Sequence, residues 1–154
     1  MIKKLVEYLK KNRLTLSTCE SATCGALASM LAEESGISSF YKGGIISYAK
    51  ETKINVVGVD PDIIAQTTTI SIETAKEMAL KTNKLLNTQI ALSITGNAGP
   101  TGDENKEVGL FYVGIAVNDF ALAKEFRIAD KGRSKNRLEM AFDALAYLSS
   151  ILEK

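Results

Sequence analysis

The segment that decides the fold reads Thr18-Cys19-Glu20-Ser21-Ala22-Thr23-Cys24-Gly25. An apolar run over residues 14–18 precedes it, and the pattern that follows places an apolar stripe on one helix face, formed by Leu27, Met30 and Leu31. We therefore predict a turn that joins a strand to a helix, with Thr23 as N-cap. The remaining N–H groups and the positive end of the helix dipole favour an anion there. An ordinary capped turn without a catalytic role explains the segment equally well.

Composition predicts one domain over residues 1–154. The chain has 154 residues, and its hydrophobic content of 45% suffices for a single core. Nineteen basic and eighteen acidic residues give a net charge of +1, without a basic stripe for nucleic acid. No apolar run approaches the ~20 residues of a membrane span, and the N-terminus lacks the features of a signal peptide. We expect a cytoplasmic protein without a membrane or nucleic-acid partner.

Histidine is absent from the sequence, which restricts the available chemistry. Ser-His-Asp and Cys-His catalysis are excluded, so a general base must be Lys, Glu, Asp, Tyr or a terminal amine. The two cysteines, Cys19 and Cys24, are five residues apart and fit free thiols in a reducing compartment. With two cysteines and no histidine, the usual zinc patterns are missing.

The hydrophobic pattern alternates helices with strands. Helices are predicted over residues 2–12, 23–34 and 51–57, from Ser71, and from Arg133 to the end; strands are predicted over residues 14–18, 43–48, 89–95, 108–117 and 120–128. Residues 38–42 are predicted as loop. This order predicts a three-layer α/β/α fold with a mixed, mostly parallel sheet whose last two strands form an antiparallel hairpin. The pattern also places several large side chains in the core, among them Leu85, Leu138 and Phe142.

Four segments carry polar side chains that a hydrophobic core does not need. They are residues 20–23, Tyr48 with Lys53, the glycine-rich loop at 95–102, and Arg133 with Arg137. The first three each follow a strand, and the carboxyl ends of parallel strands share one sheet edge, so we expect them to converge. Glycine-loop N–H groups and forked arginine donors suit a phosphate. These residues alone indicate a phosphate-bearing small ligand and leave the nucleophile open.

Taken together, the segments resemble the C-terminal domain family of the competence/damage-inducible protein CinA. The family motifs E-S-C-T-G-G, G-G-x-x-x-Y-x-x-x-x-K, T-G-x-A-G-P-x-G-G, a valine-glycine strand and G-D-R-x-x-x-R occur in order over nearly the whole chain. The corresponding residues are Glu20-Ser-Ala-Thr-Cys-Gly25, Gly43-Gly44 with Tyr48 and Lys53, Thr95-Gly-Asn-Ala-Gly-Pro-Thr-Gly-Asp103, Val108-Gly109, and Lys131-Gly-Arg133 with Arg137.

The resemblance implies an anticodon-binding-domain-like fold and hydrolysis of the carboxamide of nicotinamide mononucleotide (NMN). The products would be nicotinate mononucleotide and ammonia, formed without a metal or cofactor. The resemblance also implies a homodimer. On this basis we assign catalytic roles as a hypothesis: Ser21 attacks the amide, neutral Lys53 takes its proton, and Tyr48 relays or orients that proton. Direct attack by a water molecule that Ser21 positions stays open as an alternative to an acyl-enzyme.

The same resemblance implies a set of substrate-binding residues, with backbone N–H groups of the turn or the glycine loop holding the oxyanion. This set consists of Glu20, Thr23, Gly43, Gly44, Thr95, Gly96, Ala98, Gly99, Arg133 and Arg137.

Three positions depart from the family pattern: Cys24 and Asp103 stand where the pattern has glycine, and Gly132 stands where it has aspartate. Two alternatives therefore stay open. The first is a nucleotide-binding or regulatory domain without turnover. The second keeps hydrolysis but uses Cys24 as nucleophile, with Glu20 or Lys53 as base.

Overall fold

The computed structural model describes residues 1–153, which contain one five-stranded mixed sheet. Its strands are β1 (Leu16–Glu20), β2 (Tyr41–Ile46), β3 (Ile90–Gly96), β4 (Leu110–Val117) and β5 (Phe120–Arg127). Their spatial order is β2-β1-β3-β4-β5, with β1 parallel to β2 and β3, and with β4 antiparallel to β3 and β5. Only β4 opposes the other strands, so the predicted mixed sheet and closing hairpin are confirmed.

Helices cover both faces of this sheet. They are α1 (Ile2–Lys11), α2 (Ala26–Ala32), α3 (Lys50–Thr52), α4 (Pro61–Thr67), α5 (Ile72–Leu85) and α6 (Arg133–Leu152). Leucines of α1, α2 and α6 form the larger core against one sheet face, whereas α4 and α5 cover the other face with a smaller core. The predicted α/β/α layering is confirmed. Within residues 1–153, none of the helices is long and apolar enough to cross a bilayer.

Helix α5 lies unusually close to the sheet. A Cβ atom added to Gly114 of β4 would lie 2.2 Å from the carbonyl oxygen of Ala75 in α5. Ser93 of β3 donates to that same oxygen at 2.6 Å. Ser71 is the N-cap of α5, as predicted, and its hydroxyl accepts a hydrogen bond from the N–H of Thr74 at 3.1 Å. Small side chains thus let α5 approach the strands whose ends form the site.

The first two strands are shifted from their predicted positions. β1 ends at Glu20, two residues later than predicted, because the chain first makes a left-handed turn at Arg13. β2 begins at Tyr41, so the predicted loop at 38–42 is wrong at its last two residues. The Tyr41 hydroxyl hydrogen-bonds the Thr18 hydroxyl at 2.7 Å, which pairs β2 with β1 earlier than the apolar pattern suggests.

Three predicted core residues are wrong. Leu85, Leu138 and Phe142 have 56%, 53% and 45% of their surface exposed. The buried stripe of α6 instead passes through Met140, Ala144 and Leu148, four residues apart, so Leu138 and Phe142 fall beside it. Leu85 lies in the last turn of α5 and faces away from the sheet for the same reason.

Candidate active site

The turn after β1 is built around a buried carboxylate. Glu20, which is 1% exposed, accepts hydrogen bonds from the Thr23 hydroxyl at 2.7 Å and from the N–H groups of Gly25, Leu27 and Ala28 at 3.1, 2.9 and 3.1 Å. The helix N-cap is Gly25, so the prediction of Thr23 as N-cap is wrong. Glu20 itself occupies the positive end of α2, which leaves that helix end no free N–H groups for a substrate anion.

Ser21 and Lys53 meet beside this turn. Nζ of Lys53 lies 2.9 Å from Oγ of Ser21, although the two residues are 32 positions apart. The same nitrogen lies 2.6 Å from the carbonyl oxygen of Ser47 and 3.3 Å from that of Tyr48. Two N–H groups can therefore bind the carbonyls, and the third position on nitrogen points at the serine. In a neutral amine that position is the lone pair, which can accept the serine proton.

Burial favours the neutral form of Lys53. The side chain is 1% exposed, and no carboxylate of the described residues lies within ion-pair distance of Nζ. Desolvation lowers the pKa of Lys53 from an ordinary 10.5 to about 8, with Cys19 and Glu104 acting in the opposite direction. A substantial fraction of the amine is therefore unprotonated near neutral or mildly alkaline pH.

A wide helical turn aims Lys53 inward. Residues 53–57 form a π-helical turn directly after α3, and Gly58 ends it in a left-handed conformation with φ of 88°. The N–H of Val59 returns to the carbonyl oxygen of Lys53 at 2.9 Å. Such π turns concentrate at functional sites. The predicted helix over 51–57 and its stop at Gly58 are confirmed, but its π geometry was not anticipated.

The polar segments converge on one cleft of about 380 Å³. Ser21, Tyr48 and Lys53 line it together with the end of β3, the glycine-rich loop and Arg133. Ligand pockets typically span roughly 300–1,000 Å³, so a mononucleotide-sized molecule is an appropriate occupant. Within residues 1–153, no group of three or more His, Cys, Asp or Glu is arranged to hold a metal ion.

Arg133 closes one side of the cleft. Its Nη2 donates to the Tyr48 hydroxyl at 2.9 Å, and its Nη1 donates to the carbonyl oxygen of Gly99. Arg133 thus bridges the loop after β2 and the glycine-rich loop. Asn136, which is fully buried, supports it from the next turn of α6 by donating to the carbonyl oxygen of Ala98 at 3.0 Å.

Hydrogen bonds from side chains of the glycine-rich loop to neighbouring segments hold the loop in shape. Thr95 donates to the carbonyl oxygen of Thr69 at 2.8 Å, and the Asn97 side chain donates to that of Lys106 at 3.0 Å. A Cβ atom on Gly96 would lie 2.6 Å from the carbonyl oxygen of Leu110 and even closer to the Phe111 side chain. Glycine is required at position 96 because β4 passes against it. Thr95 and Gly96 at the end of β3, and Ala98 and Gly99 just beyond it, all line the cleft.

Other predicted substrate-binding residues lie elsewhere. Glu20 and Thr23 bind each other below the turn. Gly43 and Gly44 lie within β2, and a Cβ on Gly44 would clash with the Thr18 hydroxyl at 2.3 Å. Arg137 donates through Nη2 to the carbonyl oxygen of Thr23 at 2.7 Å and does not line the cleft. None of these five residues lines the cleft, so their contact with substrate stays a prediction.

Sequence reasoning missed four residues at the site: Ser47, Thr69, Glu104 and Asn136. Thr69 lines the cleft wall, and Glu104 binds it through backbone and side chain. No local motif marks either residue, because their contact joins positions 35 apart. Asn136 was detectable in principle, since it lies between the two arginines on the same helix end.

A family model described as "CinA C-terminal domain" matches residues 1–152. The chain belongs to the CinA family. A CinA-like protein of Cyanothece sp. is 42% identical over 146 residues, which are 94% of this chain and 35% of that relative. A CinA-like protein of Kosmotoga olearia is 41% identical over 138 residues, covering 88% of this chain and 34% of the relative. The chain thus spans about a third of the length of the curated relatives it matches.

Solved structures of the CinA family share this fold over nearly their full length. The competence/damage inducible protein CihA from Agrobacterium tumefaciens is 29% identical, with a TM-score of 0.92 over 99% of this chain and 93% of its own. The competence damage-inducible protein A from Klebsiella pneumoniae is 26% identical, with a TM-score of 0.95 over 99% of this chain and 94% of its own.

Proposed function

We propose that this domain of the CinA family hydrolyses the carboxamide of NMN to nicotinate mononucleotide and ammonia. The observation that carries the proposal is the 2.9 Å contact between Ser21 Oγ and the buried Lys53 Nζ inside the cleft. A serine hydroxyl beside a desolvated amine is the arrangement that activates an oxygen nucleophile without histidine. Family membership supplies the expectation of the amide substrate, and the cleft geometry supplies the means.

The reaction begins with attack of Ser21 Oγ on the carboxamide carbon. Lys53 Nζ accepts the serine proton as the C–O bond forms, and then gives it to the amide nitrogen as the C–N bond breaks. Ammonia leaves, and a water molecule, deprotonated by the same amine, releases nicotinate mononucleotide and restores the serine proton. Within each step, while Lys53 carries the proton, the carbonyl oxygens of Ser47 and Tyr48 hold its ammonium group in place.

The turn offers a donor for the developing oxyanion. The N–H of Ala22 follows Ser21 directly, Ala22 lines the cleft, and this N–H has no acceptor among the described residues. A preorganised backbone donor of this kind stabilises a tetrahedral intermediate.

The opposite end of the cleft suits the substrate phosphate. Arg133 lies there in the first turn of α6, a helix of 20 residues whose positive dipole end adds to the guanidinium charge. Tyr48, held by Arg133 and 55% exposed, lies between this end and the Ser21–Lys53 pair. Its hydroxyl oxygen accepts from Arg133, which leaves its own proton available to the substrate.

The test is ammonia release from NMN by wild type, Ser21→Ala, Lys53→Met and Cys24→Ser. We expect Ser21→Ala and Lys53→Met each to lose at least about 10³-fold in kcat, while Cys24→Ser stays close to wild type because Cys24 is exposed and does not line the cleft. Hydroxylamine added during turnover should divert part of the product to the hydroxamate if the acyl-serine forms.

Each alternative has its own result in this experiment. Unchanged turnover in Ser21→Ala removes the proposed nucleophile, and loss in Cys24→Ser alone transfers that role to the thiol. Thermal stabilisation by NMN with no ammonia from wild type at any pH identifies a nucleotide-binding domain without turnover.

A further inference from the structure

Glu104 binds a chain segment far from it in sequence. Its carboxylate accepts hydrogen bonds from the Thr69 N–H at 3.0 Å, from the Ile70 N–H at 3.1 Å and from the Thr69 hydroxyl. These donors lie in the corner between α4 and α5, and both Thr69 and Ile70 line the cleft. One carboxylate therefore binds the segment that follows the glycine-rich loop to the part of the cleft wall formed by Thr69 and Ile70.

The corner that Glu104 binds has a strained backbone. Thr68, a β-branched residue, has a φ of 72° and a ψ of 175°. Conformations of this kind are strained for a residue with a side chain and persist only where surrounding contacts enforce them. The carbonyl oxygen of Thr68 accepts from the Thr74 hydroxyl at 2.6 Å on one side, and Glu104 holds the next two N–H groups on the other.

The contact continues into the sheet. The carbonyl oxygen of Thr69 accepts from the Thr95 hydroxyl at the end of β3, at 2.8 Å. Glu104, Thr69 and Thr95 thus form a chain of hydrogen bonds that links the loop after β3, the corner before α5 and the strand end.

We propose that Glu104 is a positioning residue of the proposed amidase, which sets the cleft wall at Thr69–Ile70. This inference rests on the proposed function. Glu104 touches neither Ser21 nor Lys53, so it acts through the wall and through its charge.

Two titratable side chains influence Lys53. The Cys19 thiol approaches from β1, where burial raises its pKa and keeps it neutral, and Glu104 acts from the glycine-rich loop. Ser47 and Tyr48 present only carbonyl oxygens to Nζ, and Arg133 is engaged with the Tyr48 hydroxyl. Glu104 is therefore the only carboxylate of these groups, and its removal favours the neutral amine.

The test compares Glu104→Gln with Glu107→Gln. Glu107 lies three residues further along the chain, and its replacement by Gln removes the same charge. It pairs with Arg127 on the surface, whereas Glu104 binds the wall at Thr69 and Ile70. For Glu104→Gln we expect an increase of about tenfold in KM for NMN, from the lost charged hydrogen bonds. We also expect the acid limb of the rate profile to move to lower pH, and amide exchange at Thr69 and Ile70 to accelerate.

Glu107→Gln should leave all three readouts at wild-type values. Glu104→Asp, which retains the charge, should raise KM while keeping the acid limb nearer to that of wild type. The inference is overturned if Glu104→Gln matches Glu107→Gln in KM and in the acid limb, or if exchange at Thr69 and Ile70 is unchanged. If wild type does not hydrolyse NMN, the proposed function is refuted. The amide-exchange measurement needs no turnover, so it still tests whether Glu104 holds the wall at Thr69 and Ile70.

Discussion

Nζ of Lys53 and Oγ of Ser21 lie 2.9 Å apart in the interior of the protein, one on a π turn and the other on the turn after β1. Neither residue is reactive by its nature, since a serine hydroxyl is a weak nucleophile and a lysine is ordinarily charged. Burial changes the lysine, and proximity lets the changed lysine act on the serine.

The rate of amide hydrolysis should rise with pH through the pKa of Lys53. The amine must be unprotonated to accept the serine proton, and burial lowers its pKa to about 8. Below that pH, kcat/KM should fall tenfold for each unit, and above it the profile should level off. The measurement is kcat/KM for NMN between pH 6 and 9.5; a rate that is flat across this range would exclude Lys53 as the base.

Lys53 should also make stability depend on pH. Its folded pKa of about 8 lies below the ordinary value of 10.5, so between these pH values the unfolded chain binds more protons and folding becomes more favourable as pH rises. The free energy of unfolding of wild type, relative to Lys53→Met, should increase by about 3 kcal/mol across this window. Urea denaturation of both proteins at pH 7.5, 9 and 10.5 checks this. A difference that is constant with pH would show that Lys53 is not desolvated.

Glu20→Ala should destabilise the fold rather than merely weaken substrate binding. The change leaves the Thr23 hydroxyl and three helix N–H groups without their buried acceptor. We expect a loss of about 3 kcal/mol or more in the free energy of unfolding. Glu7→Ala is the control, because Glu7 is exposed on α1 and should change stability by less than about 0.5 kcal/mol. Equal stability of the two variants would refute this role of Glu20.

Arg133 and Arg137 should differ in their kinetic effects despite their shared helix face. Arg133 lines the cleft, so Arg133→Ala should raise KM for NMN by about tenfold or more while changing KM for the phosphate-free riboside much less. Arg137 binds the carbonyl oxygen of Thr23, so Arg137→Ala should lower kcat for both substrates through the nucleophile turn. A KM effect of Arg137→Ala restricted to the phosphorylated substrate would restore its expected contact with phosphate.

Much of the architecture could be predicted because it depends on short-range pattern. Helix and strand periodicity predicted the three layers. Ser71 marked the start of α5, and Gly58 marked the end of the helical turn that carries Lys53. The same pattern failed for Leu138 and Phe142, since an amphipathic stripe does not reveal how a helix is rotated against its neighbours.

The candidate site was predictable as far as strand ends allow. Ser21 and Tyr48 each follow a strand and Thr95 lies at the end of another strand of the same sheet. Parallel strands bring their ends to one edge, so the convergence of these residues followed from topology. The departures at Cys24, Asp103 and Gly132 divide in the structure: Cys24 is exposed outside the cleft, Asp103 lines it, and Gly132 is the N-cap of α6.

Residue identity and order determined which chemical groups are available. The sequence has no histidine, it places Ser21 at the end of a strand, and it places Lys53 shortly after the next strand. Which of these groups act together was decided by packing. From the sequence alone Glu20 could bind substrate, but in the fold its carboxylate binds N–H groups of α2. From the sequence alone Lys53 is an ordinary cation, but in the fold burial lowers the pKa of its amine. Desolvation and hydrogen-bond partnership arise between segments distant along the chain, so they belong to the folded protein alone.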